Sequence, residues 1–285
     1  MKINPKNFST KVDPNTQEWI PDSFDTLLSE LEHIESHCKS NGSLPLFRGH
    51  RDRNWLLDST FARSLKDRIF NLSAGEKPND YVLNTHELHS SVLNLFLLKY
   101  GVLVRPDPKL ESLAEKENID SWFELMKRFQ QYTDEDSYFI KGTNLIDWSQ
   151  SSDIALFFAN QSRVKEGAVF VCDSTATGKT LQTAPLGAIL DQMNEIGNSG
   201  KQLGFPLMFC PKRQIANERA RNQKAIYFAQ MDLRYDLETI WKMQEQSNGN
   251  ETIVAKIVLP EDTQKKIEKH LISRSITEKY IYPDM

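Results

Sequence analysis

The residues of this chain that are best suited to chemistry are an arginine and a glycine that follow a short apolar stretch. Leu46 and Phe47 predict a strand, and Arg48 and Gly49 stand at its end. An arginine presents a rigid fork of donors to a carboxylate or phosphate, and a glycine lets the backbone bend or lets a ligand approach closely. An Arg-Gly pair at a strand end is more often a turn than a site, so other parts of the chain must decide between the two.

A second polar group follows a short predicted strand at residues 145–146. Asp147 to Ser149 predict a polar elbow, and a buried helix is predicted to begin at Ser151 or Ser152. A strand, an elbow and a helix start in this order place hydroxyls and backbone amides at one edge of a cleft, where an anion can bind. The elbow is therefore a candidate for the second wall of a site.

Two further polar residues fit the same cleft. Arg63 follows the first motif at a short distance, although its spacing alone favours an ordinary surface arginine. Gln223 precedes another predicted strand, over residues 225–228. Polar residues that stand at strand ends in distant parts of a chain are what a cleft across a split sheet needs.

Two other motifs resemble known binding motifs, but they lack a residue that those motifs require. Thr177 to Thr180 end like a phosphate-binding P-loop, but Asp173 occupies the position that requires a glycine. His33 and His37 have the spacing of a zinc-binding pair on a helix, yet no further ligand accompanies them. The sequence therefore predicts no metal site.

The composition is that of an ordinary soluble globular protein, with 285 residues, 39% hydrophobic, 26% charged and a net charge of −4. The negative balance argues against a surface made for non-specific binding of nucleic acid, although basic residues cluster between positions 212 and 224. Three widely spaced cysteines suit a reducing compartment. Because the chain shows no apolar leader and no run long enough to span a bilayer, we expect a cytoplasmic protein without a membrane partner.

The elements that would position these residues are of mixed type. Residues 1–20 are polar and predict a flexible N-terminal arm. Ser23 predicts the N-cap of a helix over residues 24–38, where apolar residues recur at helical spacing. The other predicted helices cover residues 80–100, 120–131, 183–196 and 261–270, and the predicted strands cover 44–48, 145–146, 167–172, 208–210, 225–228 and 253–259. This mixture predicts an α+β fold rather than a regularly alternating parallel sheet.

At these motifs the chain resembles the FRG domain family of bacterial proteins. Phe47-Arg48-Gly49 resembles the motif that defines the family, and residues 55–63 and 143–149 resemble its next two conserved segments. Segments at 155–159, 219–228 and 276–285 follow in the family's order. Gln131 stands where the family has His, Asn144 where it has Arg, and Lys224-Ala225 where a glycine usually follows Gln223. The resemblance implies a single FRG domain over residues 21–285, with a first half at 21–172 and a second half at 173–285.

The order of FRG motifs in turn resembles the ADP-ribosyltransferase fold. This resemblance implies a split mixed or antiparallel sheet, with a helical N-terminal half and helical insertions. Arg48 would then bind the phosphate or ribose of NAD, Gly49 would contact the nicotinamide amide, and Gln223 would stand where a catalytic glutamate is expected. The implied catalytic residues are Arg48, Ser149 and Gln223, and the implied NAD-binding residues are Arg48, Gly49, Arg63, Asp147 and Trp148.

Two functions follow from these resemblances. The first is an NAD-dependent ADP-ribosyltransferase or NAD glycohydrolase, which would use NAD as substrate, modify a protein or nucleic acid and act as a toxin or in anti-phage defence. The second is a catalytically inactive sensor module that binds a nucleotide or a phosphorylated ligand. A glutamate stabilises the oxocarbenium charge that develops when NAD is cleaved. Gln223 in its place favours the second function, and a purely structural protein remains the third alternative.

Overall fold

The computed structural model describes residues 10–12, 18–68, 142–175, 180–181, 207–210, 218–230, 235–247 and 252–283. The helices predicted over 80–100, 120–131 and 183–196, and Gln131, lie outside these residues. None of the helices in the described ranges is long and apolar enough to cross a membrane.

Nine strands and seven α-helices make up the described part of the chain. The strands are β1 (Thr10–Val12), β2 (Trp19–Pro21), β3 (Pro45–His50), β4 (Leu145–Ser149), β5 (Gly167–Asp173), β6 (Thr180–Leu181), β7 (Leu207–Phe209), β8 (Ala225–Ala229) and β9 (Val254–Leu259). The helices are α1 (Phe24–Ser40), α2 (Thr60–Arg68), α3 (Ser152–Asn160), α4 (Glu218–Asn222), α5 (Leu237–Ser247), α6 (Gln264–Ser273) and α7 (Glu278–Ile281), and a 3-10 turn (Glu261–Thr263) precedes α6.

The strands form one mixed sheet in the order β1-β2-β9-β5-β3-β4-β8-β7-β6. The β2–β9 and β6–β7 pairs are parallel, and the other neighbours are antiparallel. The predicted mixture of helices and strands is therefore confirmed. β3 pairs with β5 along its whole length, from Pro45 to His50, but it meets β4 through the single pair Phe47 and Ser149. The sheet thus divides between β3 and β4, where the polar motifs stand.

Apolar side chains form two cores, one on each face of the sheet. One core joins α1, α3 and α6 to the sheet, and the other joins α5 to it. Helix α3 packs against β3 and β5 through the buried residues Ala155, Leu156 and Ala159. In α1, Ser23 caps the first turn by accepting a hydrogen bond from the Thr26 amide over 3.1 Å, which confirms the predicted N-cap. The two cores fix α3 and the central strands, and these elements carry the polar motifs.

The first strands differ from the flexible arm predicted for residues 1–20. Trp19 is buried in the core, and its strand pairs with both β1 and β9. The neighbouring Glu18 carboxylate accepts hydrogen bonds from Arg53 and lies 2.6 Å from the Lys256 ammonium. Partners this distant in sequence leave no local pattern, so the polar composition of residues 1–20 does not indicate these two strands.

Glu30 is a buried carboxyl on the inner face of α1, 2% exposed. Neither of its oxygens has a hydrogen-bond partner among the residues that the structure describes. Burial, followed by repulsion from Asp22, raises the pKa of Glu30 from 4.5 to about 7. The folded protein therefore holds a proton on Glu30 at a pH where the unfolded chain has lost it.

This buried carboxyl should make stability fall as pH rises. Because the folded pKa lies above the unfolded one, stability is lost between about pH 4.5 and 7, and the penalty is complete above 7. We expect Glu30→Gln to exceed the wild type in free energy of unfolding by on the order of 1–3 kcal/mol at pH 8, with a smaller gain at pH 5. Urea denaturation at the two pH values measures this, and Glu32→Gln, at an exposed position of the same helix, is the control. An equal gain at both pH values would contradict the expectation.

Lys224 adopts a left-handed backbone, with φ of +47°, in the turn between α4 and β8. A non-glycine residue pays about 1 kcal/mol for this conformation, whereas glycine does not. We therefore expect Lys224→Gly to raise the free energy of unfolding by about 1 kcal/mol, since the Lys224 side chain is exposed. Lys224→Ala removes the same side chain but still holds a non-glycine residue in the left-handed conformation, so it should leave the free energy of unfolding unchanged. Thermal denaturation of the two variants measures this difference. Equal melting temperatures of Lys224→Gly and Lys224→Ala would refute the backbone origin of the gain.

Candidate functional site

A cavity of about 580 Å³ opens where the sheet divides between β3 and β4. Its walls come from β3 and the turn after it, from α2, from β4, from one face of α3, and from α4 with the turn that leads into β8. Its lining residues are Phe47, Arg48, Gly49, His50, Arg51, Trp55, Arg63, Asp147, Trp148, Ser149, Ala155, Phe158, Gln161, Arg219, Gln223 and Ala225. The cavity brings together both sequence motifs and Gln223.

Arg48 is half-buried and reaches across the division of the sheet. Its Nη1 donates to the backbone carbonyl of Asp147, and its Nε donates to His50 Nε2 over 3.1 Å. Burial and then the nearby Arg63 lower the pKa of Arg48 to about 10, while Asp147 acts in the opposite direction. The guanidinium is still charged at neutral pH, and its environment favours a counter-ion.

Arg63 lies in the same cavity rather than on an ordinary surface. It is half-buried in α2, where its Nη1 donates to the carbonyl of Asp58 over 2.6 Å and its Nη2 donates to Thr60 Oγ1 over 3.0 Å. These bonds hold the guanidinium near that of Arg48. Two like charges therefore line the same cavity, close enough for Arg63 to lower the pKa of Arg48.

Arg51 and Arg219, which are not among the site residues predicted from the sequence, add positive charge at the exposed edge of the cavity. Both are exposed, and each guanidinium lies over an aromatic ring: Arg51 at 4.9 Å from the centre of Trp55, and Arg219 at 4.7 Å from that of Tyr282. Two sequence signals pointed to Arg219: the cluster of basic residues between 212 and 224, and the segment 219–228 that resembles the FRG family. Four arginines thus line the cavity, although the chain as a whole has a net charge of −4.

The polar groups of Ser149 and of the start of α3 already form hydrogen bonds within the protein. The Ser149 hydroxyl donates to the carbonyl of Gln223 over 2.8 Å and accepts from the Ser151 amide over 3.0 Å. The Ser152 amide and hydroxyl donate to Glu35 over 3.0 and 2.6 Å. The anion site predicted at the helix start is therefore occupied by a carboxylate of the chain, which corrects that prediction. Ser149 joins β4 to the turn that contains Gln223.

Trp148 is placed differently from the residues on either side of it. Successive side chains of a strand point to opposite faces, so the indole of Trp148 faces away from the side chain of Asp147. It packs in the core, with ring centres 5.6 Å from Phe228 and 5.8 Å from Trp241. The indole belongs to the core, although Trp148 also borders the cavity, and its place in NAD binding stays a prediction.

Gly49 meets a helix of the chain at close range. A Cβ at this position would lie 1.9 Å from the carbonyl oxygen of Ala155 and 2.6 Å from the amide nitrogen of Ala159. Only a glycine lets α3 approach β3 this closely. The sequence predicted a bend or the close approach of a ligand at Gly49, and in the structure it is α3 that comes close on the side of the absent Cβ.

Gln223 lies in the turn after α4 and lines the cavity. Its Nε2 donates to the carbonyl of Ile281 over 3.2 Å, and the neighbouring Asn222 donates to the carbonyl of Tyr280 over 2.7 Å. The Tyr282 hydroxyl donates to Gln161 Oε1 over 3.3 Å. Helix α7 and the following Tyr282 therefore support this wall of the cavity from outside.

Comparison with known proteins supports the family inferred from the motifs. The FRG domain model matches residues 44–167, which is less than half of the chain. The match includes Arg48, Gly49, Arg63, Asp147 and Ser149, and it ends before Arg219 and Gln223. No curated protein and no solved structure matches the chain significantly.

Proposed function

We propose that this chain, with its FRG domain match at residues 44–167, binds an anionic ligand of the nucleotide class in the cavity, and that the ligand is NAD or a fragment of it. One observation supports this most directly: the guanidinium groups of Arg48, Arg51, Arg63 and Arg219 surround one cavity. Among the described residues that line it, Asp147 provides the one carboxylate.

The charge and shape of the cavity favour a phosphorylated ligand with a planar ring. Burial of the Arg48 guanidinium near the charge of Arg63 is costly, and a phosphate would stabilise the Arg48 guanidinium through charge-assisted hydrogen bonds. The rings of Trp55 and Phe158 offer apolar surface at the same cavity. A volume of about 580 Å³ lies within the usual range for a small-molecule site.

Binding of NAD and ADP-ribose, measured by isothermal titration calorimetry, tests this proposal. Arg48→Ala should weaken binding by about 10- to 100-fold, because a hydrogen bond to a charged group contributes about 1.5–3 kcal/mol. Arg48→Lys keeps the charge but loses the planar fork, and should recover only part of the affinity. The matched control is Arg274→Ala, at an exposed position that follows α6 and does not line the cavity. The absence of binding by the wild type, or equal affinity of the wild type and Arg48→Ala, would refute the proposal.

A second candidate function is cleavage of NAD with transfer of ADP-ribose to a protein or nucleic acid, in the toxin or anti-phage setting that the family resemblance implies. The observation in its favour is that Gln223 lines the same cavity as Arg48 and Gly49, as the ADP-ribosyltransferase resemblance requires. An amide can orient a ribose hydroxyl, but it gives less support than a carboxylate to the oxocarbenium charge.

Release of nicotinamide from NAD distinguishes the two functions. If the protein is an enzyme, the wild type releases nicotinamide and Gln223→Ala abolishes the release. Gln223→Glu should then increase the rate, because it restores a negative charge beside the breaking bond. Binding of NAD without release by any of the three proteins would support the sensor module instead.

A further inference from the structure

His50 connects the cavity arginine to the backbone. It ends β3, is 4% exposed and accepts a hydrogen bond at Nε2 from Arg48 Nε over 3.1 Å. Its Nδ1 lies 3.3 Å from the carbonyl oxygen of Trp55, in the turn that follows β3. The ring packs edge-on against Phe170, with ring centres 5.1 Å apart.

These two contacts fix the tautomer of the imidazole. A guanidinium N–H can only donate, so His50 Nε2 must offer a lone pair to Arg48. The proton then belongs on Nδ1, where it is donated to the Trp55 carbonyl. An imidazolium could not accept from Arg48, so the arrangement requires the neutral form.

The surroundings of His50 also favour the neutral form. Burial first, and then the charges of Arg48 and Arg63, lower the pKa of His50 well below its usual value. Lys256 acts in the same direction, whereas the hydrogen bond to the Trp55 carbonyl opposes them. Cations from β3, α2 and β9 therefore all disfavour a protonated ring.

We propose that His50 is a positioning residue of the cavity, whose neutral imidazole holds the Arg48 guanidinium in the orientation that recognises an anionic group. The bond to His50 and the bond from Nη1 to the Asp147 carbonyl fix two of the five N–H donors of Arg48. The other donors are left for a ligand. The role in recognition depends on the proposed function, but the tautomer and the Arg48–His50 bond do not.

The gain from this arrangement is preorganisation. A free arginine side chain has many rotamers, and ordering it on binding costs about 0.5–1.5 kcal/mol. His50 removes this cost before the ligand arrives. Loss of the acceptor at Nε2 should therefore weaken ligand binding by about 2- to 12-fold, and only while Arg48 is present.

Three variants separate the parts of the imidazole. His50→Gln can place an amide oxygen near the Nε2 position and keep the acceptor for Arg48. His50→Asn keeps a donor near the Nδ1 position and loses the acceptor, and His50→Phe loses both. ADP-ribose is the probe, and calorimetry measures its affinity. We expect the affinity of His50→Gln to lie within about twofold of the wild type, and His50→Asn and His50→Phe to show the 2- to 12-fold loss.

A double-mutant cycle tests whether the effect passes through Arg48. In an Arg48→Ala background, His50→Asn should cause no further loss of ADP-ribose affinity. An equal loss with and without Arg48 would show a general structural role and overturn the proposal.

A measurement without ligand keeps the proposal separate from the proposed function. Long-range ¹H–¹⁵N spectra of histidine-labelled protein at pH 7 should show His50 protonated on Nδ1 and unprotonated on Nε2. In arginine-labelled protein, the Arg48 Nε–H signal should be protected from exchange in the wild type and in His50→Gln, and should lose protection in His50→Asn. An Nε2–H tautomer or an imidazolium at pH 7 would overturn the proposal, whereas failure of the wild type to bind ADP-ribose with these signals intact would overturn only the proposed function.

Discussion

Replacement of Gly49 by alanine is expected to lower the free energy of unfolding by about 3 kcal/mol, at the upper end of the usual range for overpacking. The added methyl group would lie 1.9 Å from the carbonyl oxygen of Ala155. Because its neighbours are backbone atoms of α3, rotation of a side chain cannot relieve the overlap. The helix must move away from β3, and the apolar contacts of Ala155 and Ala159 would weaken with it.

Gly42 provides the matched control for this expectation. It has open space around its Cβ position but a φ of +69°, so Gly42→Ala adds backbone strain without overlap and should cost about 1 kcal/mol. Chemical denaturation of the two variants separates overlap from strain. Equal losses would show that the contact with α3 is not the reason for glycine at position 49. Gly49→Ala should also weaken ADP-ribose binding, because Ala155 and Phe158 of α3 line the cavity.

The sequence predicted those features of the site that depend on local pattern. Arg48 and Ser149 stand at the ends of apolar runs that do form strands, and both line the cavity. Strand alternation was a usable signal for Trp148, since Ile146 and Trp148 share one face while Asp147 occupies the other. Its placement in the ligand site came from the family resemblance, and alternation would have assigned its indole to the core.

The remaining features depend on partners that no local pattern connects. Arg219 lies over Tyr282, 63 residues later in the chain, and Glu35 reaches the start of α3 from a helix 117 residues earlier. In the sequence, charged residues of this kind resemble solvated surface. Only the folded arrangement shows that a chain with a net charge of −4 concentrates four arginines in one cavity.

The segment that carries Arg63 is held by a buried ion pair. Lys66 Nζ lies 2.5 Å from Asp58 Oδ2, with both side chains less than 10% exposed, and Gln230 Nε2 donates to Asp58 Oδ1 over 2.9 Å. Ser59 is the N-cap of α2 in this segment, since its hydroxyl accepts from the Ala62 amide over 3.1 Å. The pair therefore fixes the start of the helix that directs Arg63 into the cavity.

Lys66→Met is expected to lower the free energy of unfolding by about 3–5 kcal/mol, because it leaves the Asp58 carboxylate buried without its cation. Lys39→Met removes an exposed lysine that lies 3.9 Å from Glu35, and should cost about 0.5 kcal/mol or less. If the unpaired charge is the cause, Asp58→Asn in the Lys66→Met background should recover most of the loss, since asparagine keeps the shape without the charge. A double variant as unstable as Lys66→Met would instead assign the loss to the packing of the lysine stem. The recovered variant should also regain ADP-ribose affinity, because the Asp58 carbonyl that holds Arg63 belongs to the backbone and is unchanged by the substitution.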